Sequence, residues 1–415
     1  MPIPISKHAL DKLNSADSRF NLDISGVAGF FGGDVAVSAM GTIHLYRGRR
    51  WLGWYNSPGS YDIAKSYGVL CKSRIWDGLY PGVNVDPAVL FGLNHKTGPA
   101  YRGIHSGTAM ARTGHIGYLL AEECKDLKHV RTADGRVSSA VTVTVVDLNA
   151  VPEKYDVHPV IADQFATYLA LVPISTTLAA SILSVIVAGD WYSFGLILFG
   201  ALVSGSSCII IGSAKLQLRR PEPAPTSPPG DGILGADSSN IIVLLGPEHA
   251  TNIVTKGGFH LHFNGEPRYN MIGICALFLT IQFLAQLLII PVGTLFGQLM
   301  FLASLAASWL YTAFLSSIDR ESLQRAIVNA QVLRDPPKLK YNLGTRTMGA
   351  VFALLVLRDS FEGKPDAPDT SIALRRLLDE LLPNDTRDWT LWKDIVVRSM
   401  VERTSIPSEI GRAHV

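Results

Sequence analysis

The chain has 415 residues, of which 47% are apolar and 17% charged, and its net charge is only +2. So weak a charge excludes a polybasic nucleic-acid binder, and nucleic acid is not expected as a partner. The mean hydropathy of +0.23 lies on the apolar side of soluble composition and points to a lipid bilayer as the partner to expect.

Residues 1–160 are expected to form a mixed α/β region on the cytosolic side. The first thirty residues show no charged stretch leading into an apolar run and a small-residue cleavage site, so no secretory signal is expected. Residues 26–43 (GVAGFFGGDVAVSAMGTI) are apolar, but Asp34 and five glycines argue against a membrane crossing. Residues 41–55 and 75–83 are dense in Gly, Trp and Tyr and are expected to pack a small core of their own, with a place at the membrane surface as the alternative. A short amphipathic helix is predicted over 118–128 (YLLAEECKDLK). A β-branched strand is predicted over 138–148 (SSAVTVTVVDL), after an Asp134-Gly135 turn.

Four apolar segments follow as two pairs: 165–188 with 191–214, and 271–291 with 294–318. Each has the roughly 20 apolar residues needed to cross about 30 Å of hydrocarbon. The breaks, Gly189-Asp190 and Val292-Gly293, are so short that each pair is expected to be a tight hairpin. The fold class is therefore a mainly α membrane protein with four transmembrane helices, as hairpins over 165–214 and 271–318.

Between the hairpins, residues 215–268 combine a linker with five prolines (RPEPAPTSPPGDG, 220–232) and a small β-α-β excursion. Its pieces are a strand over 241–245, a helix over 247–255 and a strand over 259–263 (FHLHF). After the last segment, residues 319–408 are expected to form a cytosolic helical region. There 319–333 would prolong the fourth helix until Pro336-Pro337. Residues 347–357 are too short to cross and should be a buried or interfacial helix. The stripes Leu374, Leu377, Leu378, Leu381 and Trp389, Trp392, Val396, Met400 should face one another in a small bundle. Residues 409–415 (EIGRAHV) match a translated frame of a common sequencing adapter, and are expected to be an artefact.

Orientation follows from charge. Asp190 alone is charged at the hairpin tips, whereas Lys215, Arg219, Arg220, Arg268, Arg320 and Arg325 flank the other ends. Basic residues near span ends stay in the cytosol, so the amino terminus, the central region and the carboxyl terminus should all be cytosolic. The glycosylation motif at Asn384 would then remain unmodified. Cys71, Cys124, Cys208 and Cys275 stand far apart without a CxxC pair, so reduced thiols are expected.

Chemistry is thinly signalled. His260 and His262, two apart on a strand, would present both rings on one face as a weak metal candidate, with His249 the nearest third ligand. The same alternation describes any half-buried strand. His95, His105 and His115 recur among glycines with Lys96, Arg102 and Arg112, a composition that can bind phosphate. No P-loop, dinucleotide fingerprint, nucleophile elbow or zinc-protease motif accompanies them, so no catalytic residue is assigned and no cofactor is expected. The segments contain no Asp, Glu, Lys, Arg or His, which argues against ion-coupled transport. Gln282 and Gln286 share a face that would either line a pore or hydrogen-bond between helices.

Three stretches, GDWYSF (189–194), SPPGDGILG (227–235) and LLGPEHATNIVTKGGFHLHF (244–263), together with the four segments resemble uncharacterised multi-pass membrane proteins of fungi over roughly residues 168–400. The resemblance implies an architecture and no catalytic residues. The leading functional expectation is a non-enzymatic membrane protein whose cytosolic regions bind a protein partner or self-associate. A small channel or uniporter-like assembly is the alternative, and a membrane-surface enzyme a third.

Overall fold

A computed structural model describes residues 32–71, 74–82, 85–132, 140–153, 164–219, 221–235, 239–263, 266–361 and 370–402. The adapter-like tail, the first thirty residues and the Asp134-Gly135 turn lie outside them.

The helices are α1 (Gly33–Met40), α2 (Ser60–Gly68), α3 (Arg74–Leu79), α4 (Pro87–Leu90), α5 (His115–Asp126), α6 (Gln164–Ala188), α7 (Trp191–Ile211), α8 (Glu248–Lys256), α9 (Glu266–Ile289), α10 (Leu295–Ser317), α11 (Arg320–Ile327), α12 (Arg346–Arg358), α13 (Thr370–Leu381) and α14 (Arg387–Glu402). The strands are β1 (Tyr101–Gly103), β2 (Ala109–Met110), β3 (Arg131–Thr132), β4 (Val141–Asp147), β5 (Lys215–Arg219), β6 (Gly232–Leu234), β7 (Asn240–Leu245), β8 (Gly258–His262) and β9 (Lys338–Leu343). They divide into a helical unit (Met1–Asn94, His158–Gln217, His260–Leu323) and a sheet unit (His95–Val157, Leu218–Phe259, Gln324–Val415).

In the helical unit, α6, α7, α9 and α10 are long and apolar enough to cross a membrane. Their polarity is inverted relative to a soluble bundle. Leu171, Leu178, Ile182, Ile186, Phe278, Leu288 and Leu310 face outward at 47–74% exposure, while Thr177, Ser181, Ser184, Gln282, Gln286, Ser304 and Ser308 are buried at 0–2%. Water would not tolerate so large an apolar surface; hydrocarbon does. The first pair is a packed hairpin, α6 lying along α7. The second differs from expectation. Although joined by a single 3-10 turn (Ile290–Val292), α9 packs along α7 and α10 along α6, so the linked helices straddle the first pair. Pro291 and the extended backbone at Gly293 and Thr294 let the two diverge.

Residues 33–68 belong to this unit, which sequence reading did not foresee. Helix α1 packs on α10 and α2 on α9. The non-helical stretch between them is buried from Tyr55 to Gly59. Tyr55 meets Tyr311 edge-on at 5.7 Å, so part of the aromatic cluster packs the core of the long helices rather than a core of its own. Irregular backbone at this depth is stable only when protein surrounds it. The fourth long helix also ends sooner than expected. Ile318 is extended (ψ 130°), and Asp319 Oδ1 accepts from the backbone N–H of Glu321 (3.0 Å) and Ser322 (3.2 Å), starting α11 afresh.

The sheet unit is built on a seven-stranded mixed sheet, order β2-β1-β6-β7-β4-β9-β3, with β4 parallel to β7 and antiparallel to β9. Ile241, Ile242, Val243 and Leu244 are all buried, as a strand covered on both faces requires. Helices α12, α13 and α14 cover one face: Leu354, Leu374, Leu378, Val396 and Met400 share a core with Val143, Ile233, Ile241 and Val243. The carboxyl-terminal helices pack on one another, as their stripes predict, but they share a single core with the sheet, and 347–357 is a buried helix packed on β4 and β7. Helices α5 and α8 pack together, with α5 against β7. The expected excursion is also split: β7 is central to this sheet, whereas β8 pairs with β5 in a separate two-stranded ladder.

Candidate functional site

The histidines singled out in the sequence do not converge. In β8, His260 is half-buried, His262 is exposed, and His260 Nδ1 stands 3.5 Å from Asp86 Oδ2. In the sheet unit, His249 Nε2 meets the carbonyl of Val151 at 3.1 Å and His115 Nε2 meets Gln324 Oε1 at 3.0 Å. The rings of His95 and His115 are 5.7 Å apart. Among the described residues no three His, Cys, Asp or Glu side chains form a metal-binding group.

His105 lies beside a candidate site. Its Nε2 meets Asp231 Oδ2 at 3.0 Å, both side chains being almost wholly buried, and Asp231 Oδ1 accepts from the Gly246 N–H at 2.7 Å. Ser360 Oγ is 3.4 Å from the same Nε2 and donates to the carbonyl of Leu357 at 2.7 Å. A hydrolytic triad needs acid and nucleophile on opposite ring nitrogens. Here both meet Nε2, so the trio fixes the β1–β2 turn and has no relay geometry. That turn (GIHSGT, 103–108) and α13 wall a groove of ≈ 220 Å³ lined by Arg102, His105, Ser106, Ile372, Arg376 and Glu380. Gly107 (φ +63°) is required there twice: its backbone is left-handed, and a Cβ would come within 2.9 Å of the Arg376 guanidinium. Arg102 Nε pairs with Glu380 Oε2 at 2.7 Å.

The groove continues between α13 and α14 as an open trough of ≈ 760 Å³. Its walls combine Arg375, Arg376 and Arg398 with Asp379, Asp394 and Glu402, and its floor offers Ile372 (66% exposed) and Val401 (46%). Lys393, 2% exposed, fixes the two helices by donating to Asp379 Oδ1 (2.7 Å) and the Asn384 carbonyl (2.9 Å). Burial pushes the Asp379 carboxyl up, but the hydrogen bonds from Lys393 and Arg375 outweigh it and hold the group below the usual carboxylate range.

The helical unit contains two polar constellations. Near the midpoints of α6, α7 and α10, the fully buried Asn56 donates through Nδ2 to Ser304 Oγ (3.1 Å), and its Oδ1 accepts from Gln286 Nε2 (3.1 Å). Its backbone N–H reaches Thr177 Oγ1 at 3.3 Å. Gly200 on α7 leaves room for it: a Cβ there would sit 2.2 Å from Asn56 Oδ1. One loop residue thus abuts all four long helices. The adjacent Gln282 amide is buried without a hydrogen-bond partner among the described residues. At the helix breaks, Asp190 (3% exposed) caps α7 through Ser193 N–H (3.0 Å) and accepts from Ser193 Oγ (2.9 Å). Its Oδ2 also accepts from the Thr294 N–H (2.8 Å) and Thr294 Oγ1 (3.1 Å), so both tips meet in one clasp.

Sequence reading flagged Arg102, His105, Asp190, Gln282 and Gln286, but not Asn56, Arg376 or Lys393. Asn56 sits in WYNSPG, which carries only turn chemistry as a signal. The four cysteines are all buried and free, and burial pushes the Cys124 thiol up to about 12. No protein-family model, curated protein or solved structure matches the chain.

Proposed function

We propose that the chain is an integral membrane protein whose long helices anchor it in the bilayer and whose sheet unit recognises a protein partner, or a second copy of itself, on the cytosolic face. The observation that carries this reading is the contrast between the two interiors. Asn56 and the glutamines fill the axis of the helical unit at 0% exposure, whereas the sheet unit presents a wide trough with apolar floor and charged rims. Mixed rims around an apolar centre are what a specific protein contact uses. Basic residues flank the helix ends away from the Asp190 clasp, so both termini and the sheet unit are assigned to the cytosol. The resemblance to fungal multi-pass proteins agrees with this architecture.

A second reading, a conduit lined by Gln and Ser, rests on the unpartnered Gln282 amide. The experiment that separates them has two arms. A photo-crosslinker at the exposed Ile372 in native membranes should trap one reproducible protein species, lost on Arg376→Glu. Purified full-length protein in proteoliposomes should pass no small solutes. Flux that Gln282→Leu abolishes, with no species trapped at Ile372, would overturn the recognition reading in favour of the conduit.

A further inference from the structure

We propose that the helical unit binds a halide-sized monovalent anion at Arg49. This guanidinium is 6% exposed yet lies among long apolar helices, and it is permanently charged. One amino group, Nη2, donates to the Tyr55 hydroxyl at 3.2 Å, and the Tyr311 ring lies 5.2 Å from the guanidinium carbon. Those two contacts fix its orientation. Among the described residues, Nε and Nη1 are buried with no hydrogen-bond partner and Arg49 has no carboxylate within ion-pair distance.

Arg49 lines a cavity of ≈ 30 Å³. Its wall places the hydroxyls of Ser57, Ser204, Ser207 and Thr312 among Ala36, Ala39 and Ile63. Ser57 and Thr312 donate to the carbonyls of Pro58 (3.3 Å) and Trp309 (3.0 Å), so a bound anion would have to turn those protons inward, around one fixed positive charge. The size decides between candidates: ≈ 30 Å³ admits about two water-sized bodies, enough for a bare halide and too little for a lipid phosphate with its ester substituents. The site is also built tightly. Gly53 lies so close to α7 that a Cβ would strike Cys208 Cβ at 2.5 Å, and Cys208 Sγ stands 3.8 Å from the Arg49 carbonyl. A buried cation in such surroundings demands a counter-charge, and here a mobile anion supplies it.

The test uses the purified full-length protein in detergent at constant ionic strength, with gluconate replaced stepwise by chloride. A site saturated to about a hundred times its dissociation constant should raise Tm by roughly 5 °C or more. Bromide should do the same. In Arg49→Gln the rise should vanish, and in Arg49→Lys, which keeps the charge but loses the fork of donors, it should persist with its midpoint moved to at least about tenfold higher chloride. An unchanged wild-type Tm overturns the proposal, and so does an equal rise in a folded Arg49→Gln. Should Arg49→Gln fail to fold, Arg49→Lys decides: an unshifted midpoint there refutes the site. A Tm that follows the phosphatidylglycerol content of nanodiscs, and not chloride, would assign the cavity to a lipid phosphate and overturn the halide.

Discussion

Replacing Asp190 by alanine should open the joint between the two helix breaks. Its carboxylate accepts from four donors, the N–H and Oγ of Ser193 and the N–H and Oγ1 of Thr294. The hydroxyls can turn to other acceptors, but the two backbone N–H groups cannot. Each buried N–H left unpaired costs about 1–3 kcal/mol, and loss of a helix cap alone costs about 1 kcal/mol. Taking overlap between these into account, Asp190→Ala should cost about 3–4 kcal/mol, and Asp190→Asn, which keeps one carbonyl acceptor, about 1–2 kcal/mol. For a cooperative unit of this size that is a fall in Tm of roughly 6–15 °C for the alanine, read as loss of helical circular dichroism in detergent. A second variant checks the geometry. At Gly297 a Cβ would stand 2.0 Å from Asp190 Oδ2, so Gly297→Ala should also destabilise. Because the closest clash is with the carboxylate, with Ser193 Oγ next at 2.5 Å, the cost should shrink once Asp190 is alanine. If Asp190→Ala costs less than about 1 kcal/mol, or if the two losses simply add, the clasp does not hold the tips as argued.

Asn56→Ala should cost about 2 kcal/mol by removing two side-chain hydrogen bonds and stranding Gln286, and Gly200→Ala about 2–3 kcal/mol by overpacking. The Gly200→Ala loss should shrink below about 1 kcal/mol in the Asn56→Ala background; undiminished, it would place the clash elsewhere. The buried His44, whose ring lies 5.4 Å from Phe91, has its pKa pushed down by burial to about 4, so the folded state holds it neutral while the unfolded chain takes up a proton below pH 6.5. Stability should therefore fall by about 2 kcal/mol from pH 7.5 to pH 5 and level off below pH 4, and His44→Leu should flatten that part of the profile. Thiol titration should find none of the four cysteines reactive in the native protein at pH 8 and all four after denaturation; labelling of Cys124 without unfolding would contradict its burial.

The long helices were legible because a run of some twenty apolar residues has few other uses. So were β4, β7, α13 and α14, whose β-branched runs and leucine stripes report burial directly. What a stripe does not report is its partner. Leu374, Leu378 and Val396 read the same whether their core is closed by helices alone or includes a sheet, and here it includes β4, β6 and β7. Strand β9 (KLKYNL) escaped notice because its lysines break the apolar pattern, although Lys340 is 5% exposed and donates to the Lys125 carbonyl at 2.8 Å. The groove of the sheet unit is made by Arg376 and the β1–β2 turn, residues far apart in the chain whose meeting depends on the sheet order. Asn56 was hidden for the same reason. Its importance lies wholly in helices that come later in the sequence.

That last relation constrains how the molecule assembles. Asn56 is bonded to Thr177, Gln286 and Ser304, at sequence separations of 121, 230 and 248 residues. The stretch that carries it is irregular, and beyond turn bonds such as the Tyr55 N–H to the Gly53 carbonyl (2.9 Å) its backbone has no regular ladder, so it would be ruinously placed in bare hydrocarbon. It therefore enters only after α6, α7, α9 and α10 have come together. The helices, by contrast, satisfy their own backbones and can insert first. Entry of the loop then closes contacts of high sequence separation, a slow class of step. Destabilising Asn56 should accordingly leave insertion of the four helices intact while loosening the packing of α1 and α2, which flank the loop and rest on α10 and α9.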